Sequence, residues 1–280
     1  IFLGYCDDNI HIILISKRGN SKMKIKLNEK DIQISDDLTL NELCLTYKPK
    51  ADIKIYNGAV CDEDVNLKEN DHVMLIKRGE IPSPEELEAV MTARHTPGIH
   101  EKLKQSCVGI AGLGGLGSSV AIALARVGVG KLILVDFDVV EPSNLNRQQY
   151  FVDQLGMFKT EALKENLSRI NPYVNVNFFT EKIDKENING FFSDAKVLIE
   201  AFDRPDQKAM LLDSAKNKYI VAASGLAGYG TCDNISINKL GKKVYVVGDF
   251  KTGAAPGCGL MAPRVGVVAH MQANLTMQLL

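Results

Sequence analysis

Gly112-Leu-Gly-Gly-Leu-Gly117-Ser118 follows the apolar run Cys107-Val-Gly-Ile-Ala111 and opens a segment with helical spacing. Asp136-Phe-Asp138 closes the next apolar run, Lys131-Leu-Ile-Leu-Val135. A glycine loop between strand and helix, followed by an acidic strand end, is the pattern of a nucleotide-binding unit. Gly112 permits a tight turn, Gly114 lets the backbone approach phosphate or ribose, and Gly117 lets helix and strand pack closely. Gly115 and Ser118 complete the loop, and the helix N-terminus offers unpaired N–H groups to an anion. Asp136 is the expected partner of the ribose hydroxyls. Asp138, two residues on, is read as shaping the loop.

A glycine loop alone is a weak signal. Here Asn144 and Arg147 follow, in Asn144-Leu-Asn-Arg147-Gln, and Lys159 opens the next helical segment. The first two have no place in the ordinary NAD fingerprint. Together the three could grip phosphates from the side opposite the glycine loop, which points to chemistry on ATP. Singly, each would read as a solvated surface group. Asp203 lies just past the run Lys196-Val-Leu-Ile-Glu200. Carboxyl ends of strands in an open α/β sheet are where ligands bind, and a carboxylate there suits Mg²⁺. Its structural alternative is to cap the helix beginning at Pro205.

The elements that must carry these residues read as follows. The chain has 280 residues, 45% hydrophobic and 24% charged, with a formal net charge of -1. That is ordinary for a globular protein and gives no global field for nucleic acid or an anionic membrane. No apolar run approaches the roughly 20 residues that span a bilayer. The N-terminus lacks the basic leader and cleavage site of a signal peptide. Six cysteines are scattered without a C-x-x-C pair, so no structural zinc is expected and a cytoplasmic, reducing setting is.

Residues 1–22 read as a leader outside the native fold, because Met23 opens the first clear strand. Residues 23–79 alternate as strands over Met23–Asn28, Ile32–Ser35, Ile53–Tyr56 and His72–Lys77, with a helix near Thr39–Leu45. Residues 80–106 read as a helical linker with a capping box at Ser83-Pro-Glu-Glu86, a break at Thr96-Pro-Gly98 and a second helix over Ile99–Lys104. Residues 107–280 alternate strand and helix. The expected helices are Ser118–Val127, Lys159–Ile170 and Pro263–Leu280. The further strands are Val174–Phe178, Lys196–Glu200 and Tyr219–Ala223. A hairpin is expected over Thr231–Asn238 and Lys242–Val247. This predicts an α/β fold, a Rossmann-like mostly parallel sheet with flanking helices, preceded by a small β-grasp domain. The last helix ends without a glycine cap, which reads as a chain cut short there.

The order of elements over residues 23–77 resembles ThiS, the ubiquitin-like sulfur carrier of thiamine synthesis. Sulfur carriers end in Gly-Gly; here Lys77-Arg78-Gly79-Glu80 stands in that place and the chain runs on. The domain is therefore expected to dock or pack rather than to be the substrate. Gly112–Ser118, Asp136-Phe-Asp138, Asn144-x-x-Arg147-Gln, Lys159, Asp203 and Met261-Ala-Pro263 resemble the bacterial members of the ubiquitin-activating superfamily. These include ThiF, MoeB and HesA, and the likeness is to the divergent thiamine-synthesis branch. It covers about residues 94–280. The resemblance implies that Asp136 binds ribose, that Arg147 and Lys159 bind ATP phosphates, and that Asp203 holds Mg²⁺. It also implies a homodimer and a ThiS-like carrier as partner. A cysteine desulfurase or other donor would supply sulfur. Relatives usually carry Arg-Tyr-x-Arg-Gln before the core, and its second arginine reaches the partner subunit's ATP. Here Arg94-His-Thr-Pro97-Gly has Pro97 at that place, so either Arg94 substitutes or the cross-subunit contact is gone.

The expected reaction is adenylation of a carrier's C-terminal glycine carboxylate, for thiamine thiazole synthesis. Cys258 and Cys232 are candidates for a sulfur relay, each with the alternative of an ordinary small hydrophobe. Three rivals stand beside it. One is adenylation of a molybdopterin-type carrier or a modified tRNA base. Another is NAD-dependent oxidoreduction, which leaves Asn144, Arg147 and Asp203 idle. The third is a nucleotide-binding scaffold without catalysis.

Overall fold

A computed structural model of the chain describes residues 21–87, 95, 98–215 and 217–280. The chain divides into two compact units, residues 1–95 and 96–280.

The small unit runs β1 (Lys22–Leu27), β2 (Lys30–Ser35), α1 (Leu40–Tyr47), β3 (Ile53–Tyr56), β4 (Ala59–Val60) and β5 (His72–Ile76). Its sheet has the order β2-β1-β5-β3-β4, with β1 and β5 parallel and the other neighbours antiparallel. Met23, Ile25 and Leu27 alternate inward along β1. The helix α1 starts at a capping box, in which Thr39 Oγ1 accepts from Glu42 N and the Glu42 carboxylate accepts from Thr39 N. Leu40, Leu43 and Cys44 are its buried face. This is the ubiquitin-like arrangement expected from residues 23–79. At Ser83 the expected box also forms: Glu86 N donates to Ser83 Oγ and Ser83 N to the Glu86 carboxylate. The remainder of that helix, with Arg94 and Pro97, lies outside the described residues.

The large unit continues with α2 (Ile99–Lys104), β6 (Cys107–Ala111), α3 (Gly115–Arg126), β7 (Lys131–Val135), α4 (Lys159–Ile170), β8 (Asn175–Phe179), α5 (Ile188–Phe191), β9 (Val197–Glu200), α6 (Pro205–Ser214), β10 (Tyr219–Ala223), β11 (Ser236–Lys239), β12 (Val244–Gly248) and α7 (Ala262–Leu279). The sheet order is β11-β12-β10-β9-β6-β7-β8. All neighbours are parallel except β11 and β12. Parallel strands covered on both faces read as unbroken apolar runs. On one face Val108, Ile110, Leu132, Leu134 and Ile199 pack with residues of α3, α4 and α7. On the other, Ile133, Leu198 and Ile220 pack with Ile188, Phe192 and Leu211.

Four local expectations shift. α2 belongs to the large unit and not to a loose linker: Leu103 is fully buried in the core, and Gly130 N donates to Leu103 O at 2.9 Å. α3 starts at Gly115, because the glycine loop itself enters the helix after the extended Gly114. β8 is displaced by one residue, to Asn175–Phe179. Residues 231–235 are not strand, because Arg264 takes the carbonyls of Gly230 and Thr231 and Thr231 Oγ1 donates to Asp233. Among the described residues no helix is long and apolar enough to cross a membrane.

Candidate nucleotide site

The carboxyl ends of β6, β7 and β9 lie level, since Ala111 is in register with both Val135 and Glu200. Gly112, Asp136 and Ala201 therefore emerge side by side. Gly112 has φ of +89°, and a Cβ there would stand 2.8 Å from Ala201 O. A Cβ on Gly117 would stand 1.9 Å from Gly112 O. Only glycine fits either position, so the turn is fixed by steric contact on both sides.

The first turn of α3 receives no side-chain cap. Its amide donors stay available, as an anion site needs. Gln148 is buried beside this turn, and its Oε1 has no hydrogen-bond partner. Its Nε2 lies 3.9 Å from where a Gly114 Cβ would stand. A buried carboxamide oxygen without a partner, next to open helix donors, suits a polar ligand that can donate to it.

Asp136 is buried and held firmly: its carboxylate accepts from Leu113 N at 2.6 Å and Asp138 N at 2.8 Å. Burial raises its pKa, opposed by the nearby Lys159 charge and by these two N–H groups. Tyr150 braces the same loop by donating to Leu113 O at 2.8 Å. Ser118 is fully buried; its hydroxyl donates to Gly114 O and accepts from Gln149 N, so it holds the loop from behind.

Asn144 is also buried, and its Oδ1 accepts from Glu141 N at 3.1 Å. It shapes the short 3₁₀ turn Pro142–Asn144 that delivers Arg147. Arg147 lies along α3: its Cγ is 3.2 Å from where a Gly115 Cβ would stand. Its Nη1 donates to Ser143 O and Asn146 Oδ1, and no carboxylate pairs with it among the described residues. Lys159, the first residue of α4, is buried and pairs with Asp138 at 2.8 Å.

Asp203 is exposed, just beyond β9. It does not cap α6, whose N-cap is Arg204 with no side-chain bond. Its loop is anchored by the buried Glu200, which accepts from Phe202 N at 2.8 Å and pairs with Lys208 at 2.9 Å. Burial raises the Glu200 pKa against the pull of Lys208. An exposed carboxylate just past the carboxyl end of a central parallel strand fits Mg²⁺, which takes one or two carboxylates plus phosphate oxygens. Gly112, Gly114, Gly115, Gly117, Asp136, Arg147 and Lys159 thus lie around the carboxyl ends of β6 and β7, with Asp203 just past the neighbouring β9. Asn144 and Ser118 stand behind them.

A cleft of about 660 Å³ opens further along the same edge, beyond the carboxyl ends of β10 and β12. Its lining includes Gly228, Gly230, Gly257, Gly259, Cys258 and Arg264. Arg264 and its ion-pair partner Asp249 escaped the sequence reading. Asp249 follows β12 directly, so the strand-end rule that marks Asp136 and Asp203 applies to it as well.

This sheet, loop and set of cations define a nucleotide-binding fold of the ubiquitin-activating kind. The chain belongs to the ThiF family, whose model matches residues 88–280. Residues 23–79 match the ThiS-like ubiquitin model. Two relatives are described as "Adenylyltransferase and sulfurtransferase UBA4". The one from Candida glabrata is 32% identical over 187 residues, covering 64% of this chain and 43% of the relative. That from Saccharomyces cerevisiae is 31% identical over 200 residues, covering 68% and 46%. The chain thus spans less than half the length of these curated relatives. In fold it is similar to tRNA N6-threonylcarbamoyladenosine dehydratase TcdA of E. coli in complex with ATP. The TM-score is 0.61 at 24% identity, over 71% of this chain and 97% of that one.

Proposed function

We propose that the chain adenylates the C-terminal glycine carboxylate of a ubiquitin-like sulfur carrier, with ATP as co-substrate. One observation carries it: Arg147 lies along the open first turn of α3, and Lys159 stands beside Asp136, whose carboxylate braces the same glycine loop. An NAD site built on the glycine loop and Asp136 would leave Arg147 and Asp203 idle. The names of the UBA4 relatives and the ATP complex of TcdA support the same chemistry.

The carrier carboxylate is already ionised at neutral pH and needs no general base. It attacks the α-phosphorus, the bond to the pyrophosphate oxygen breaks, and acyl-adenylate and pyrophosphate result. Asp136 would hold the ribose, and the α3 amides and Arg147 the phosphates. Lys159 would turn its ammonium from Asp138 to the charge gathering on the leaving group. Mg²⁺, held by Asp203 and phosphate oxygens, would neutralise further charge. Catalysis is then positioning and charge compensation.

The cleft beyond β10, lined by glycines and next to Asp203's strand, supports entry of a narrow carrier tail from that side. Cys258 stands in this cleft and Cys232 borders its Thr231 wall, which supports a sulfur-relay role for Cys258 first. The small domain, without Gly-Gly, packs or docks. Thiazole of thiamine as the sulfur's destination rests on the ThiS-like domain alone; the relatives' names speak of sulfur transfer without thiamine. Exposed Phe137, Phe151, Val152 and Phe158 on the loops after β7 support a second copy of the chain as partner. The described cysteines are free thiols, in keeping with a cytoplasmic setting. Isothermal titration decides the ligand: ATP with Mg²⁺ binds and NAD does not. Tight NAD with undetectable ATP would overturn the proposal.

A further inference from the structure

Two loops interlock above β10 and β12. Asp249 N donates to Gly225 O, Phe250 N to Ser224 O, and Ala227 N to Thr252 O. The approach is so close that a Cβ on Gly225 would stand 2.1 Å from Asp249 Oδ1. Asp249 is the knot. Its carboxylate accepts from Lys251 N, Thr252 N and Thr252 Oγ1 at 2.8–2.9 Å, and pairs with Arg264 Nη2 at 2.6 Å. The Arg264 side chain is 4% exposed and that of Asp249 1%.

Arg264 stands in the first turn of α7, where a cation opposes the helix dipole. Its Nε–H is buried without an acceptor. Both features cost stability, so an arginine that merely filled space here would be a poor choice. Its other contacts say what it does. Nη1 donates to Gly230 O at 3.0 Å and to Thr231 O, in the lining of the cleft that also holds Cys258. Cys258 Sγ lies 3.3 Å from where a Gly228 Cβ would stand, two residues before the turn that Arg264 holds, and Gly228, Gly230, Thr231 and Cys258 line the same cleft. The next residue, Val265, packs 3.0 Å from where a Gly115 Cβ would stand, at the nucleotide loop.

We propose that Arg264, anchored by Asp249, is a positioning residue that sets the width of the Cys258 cleft by holding the Gly230–Thr231 turn. It acts on the carrier side of the reaction and not on the nucleotide. The role rests on the carrier-adenylation proposal for its meaning, but its test does not need a carrier.

The test is alkylation of Cys258 by iodoacetamide in the full chain, read on its own peptide by mass spectrometry, beside ATP titration. Freed of the guanidinium fork, the turn opens, and Arg264→Met labels Cys258 about tenfold faster than the parent. ATP affinity stays within about twofold, because the nucleotide loop is braced by Asp136, Tyr150 and Ser118, none of which bonds Arg264, and Val265 keeps its own side chain. Arg264→Lys keeps charge and bulk but cannot span Asp249 and both carbonyls at once, so it falls between the two. If Arg264→Met does not fold, Arg264→Lys decides by the same readings. A folded variant with parental labelling overturns the proposal, and so does one whose ATP affinity falls by the same factor as labelling rises. Loss of the adenylation reading would show differently, as a parent protein that binds no ATP while the labelling contrast persists.

Discussion

Lys159 Nζ lies 2.8 Å from Asp138 Oδ2, while the Lys159 backbone N–H donates to Asp138 O at 2.9 Å. One residue thus holds the lysine at both ends of its side chain. The pairing matters because Lys159 opens α4, where a buried cation meets the positive end of the helix dipole. Asp138 is half exposed and can release the ammonium without stranding a buried charge.

Lys159→Met is expected to abolish adenylation and to lower stability modestly: it removes a cation from an unfavourable helix end but strips buried Asp136 of the charge that opposes its desolvation. Asp138→Asn leaves the ammonium with a weaker partner and should cost about 1–2 kcal/mol, less than for a fully buried pair. Urea unfolding and pyrophosphate exchange on both variants check this. A Lys159→Met protein with parental exchange rates would remove the lysine from the mechanism.

Asp203→Ala separates function from fold. The carboxylate is exposed, does not cap α6 and anchors no backbone among the described residues. Its removal should move stability by less than about 0.5 kcal/mol and should suppress Mg²⁺-dependent exchange. A folded variant that exchanges normally would leave Asp203 with no role at the site.

Gly117→Ala places a methyl 1.9 Å from Gly112 O, a contact with backbone that no rotamer relieves. Overpacking of this kind costs about 1–3 kcal/mol or more, or several degrees in melting temperature for a unit of this size. ATP binding should fall with it, because the displaced carbonyl belongs to the loop. A variant with unchanged melting and affinity would mean the loop shifts freely.

The acid limb of stability should carry the mark of Asp249. Burial alone would raise its pKa, but hydrogen bonds from Thr252 and Lys251 and the Arg264 charge hold it down to about 2, below its ordinary 3.8. A carboxyl depressed in the fold stabilises above the unfolded value and loses that contribution as pH falls from 3.8 towards 2. Asp136 and Glu200 act with the opposite sign: burial raises both, so folding loses stability as pH rises from their unfolded values through their folded ones. Denaturation midpoints between pH 2 and 6 should show the acid limb flattened in Asp249→Asn. An unchanged acid limb in that variant would deny Asp249 its charge in the fold.

Much of this arrangement was legible in the residues. The glycine spacing, the acidic ends of β7 and β9, and the position of Lys159 at a helix start followed from local rules of strand, turn and cap. What escaped was set by contacts between distant segments. Asp138 reads as a loop residue until α4 returns its lysine across 21 positions. Ser118 and Asn144 read as ligands by type, yet both are turned inward by backbone partners on neighbouring turns. Arg264 opposes helix-end rules, and only the fold of β12 brings Asp249 to it. The linker boundary moved because Leu103 has a core to enter, which no periodicity over six residues can announce.

The most direct test is carrier-dependent exchange of labelled pyrophosphate into ATP by the full chain. With Mg²⁺ and a ThiS-like carrier ending in Gly-Gly, exchange should be robust. It should vanish when the carrier's last glycine is removed, and it should not occur without added carrier. Exchange that ignores the carrier, or ATP binding with no exchange for any diglycine carrier, would contradict adenylation of a carrier by this chain.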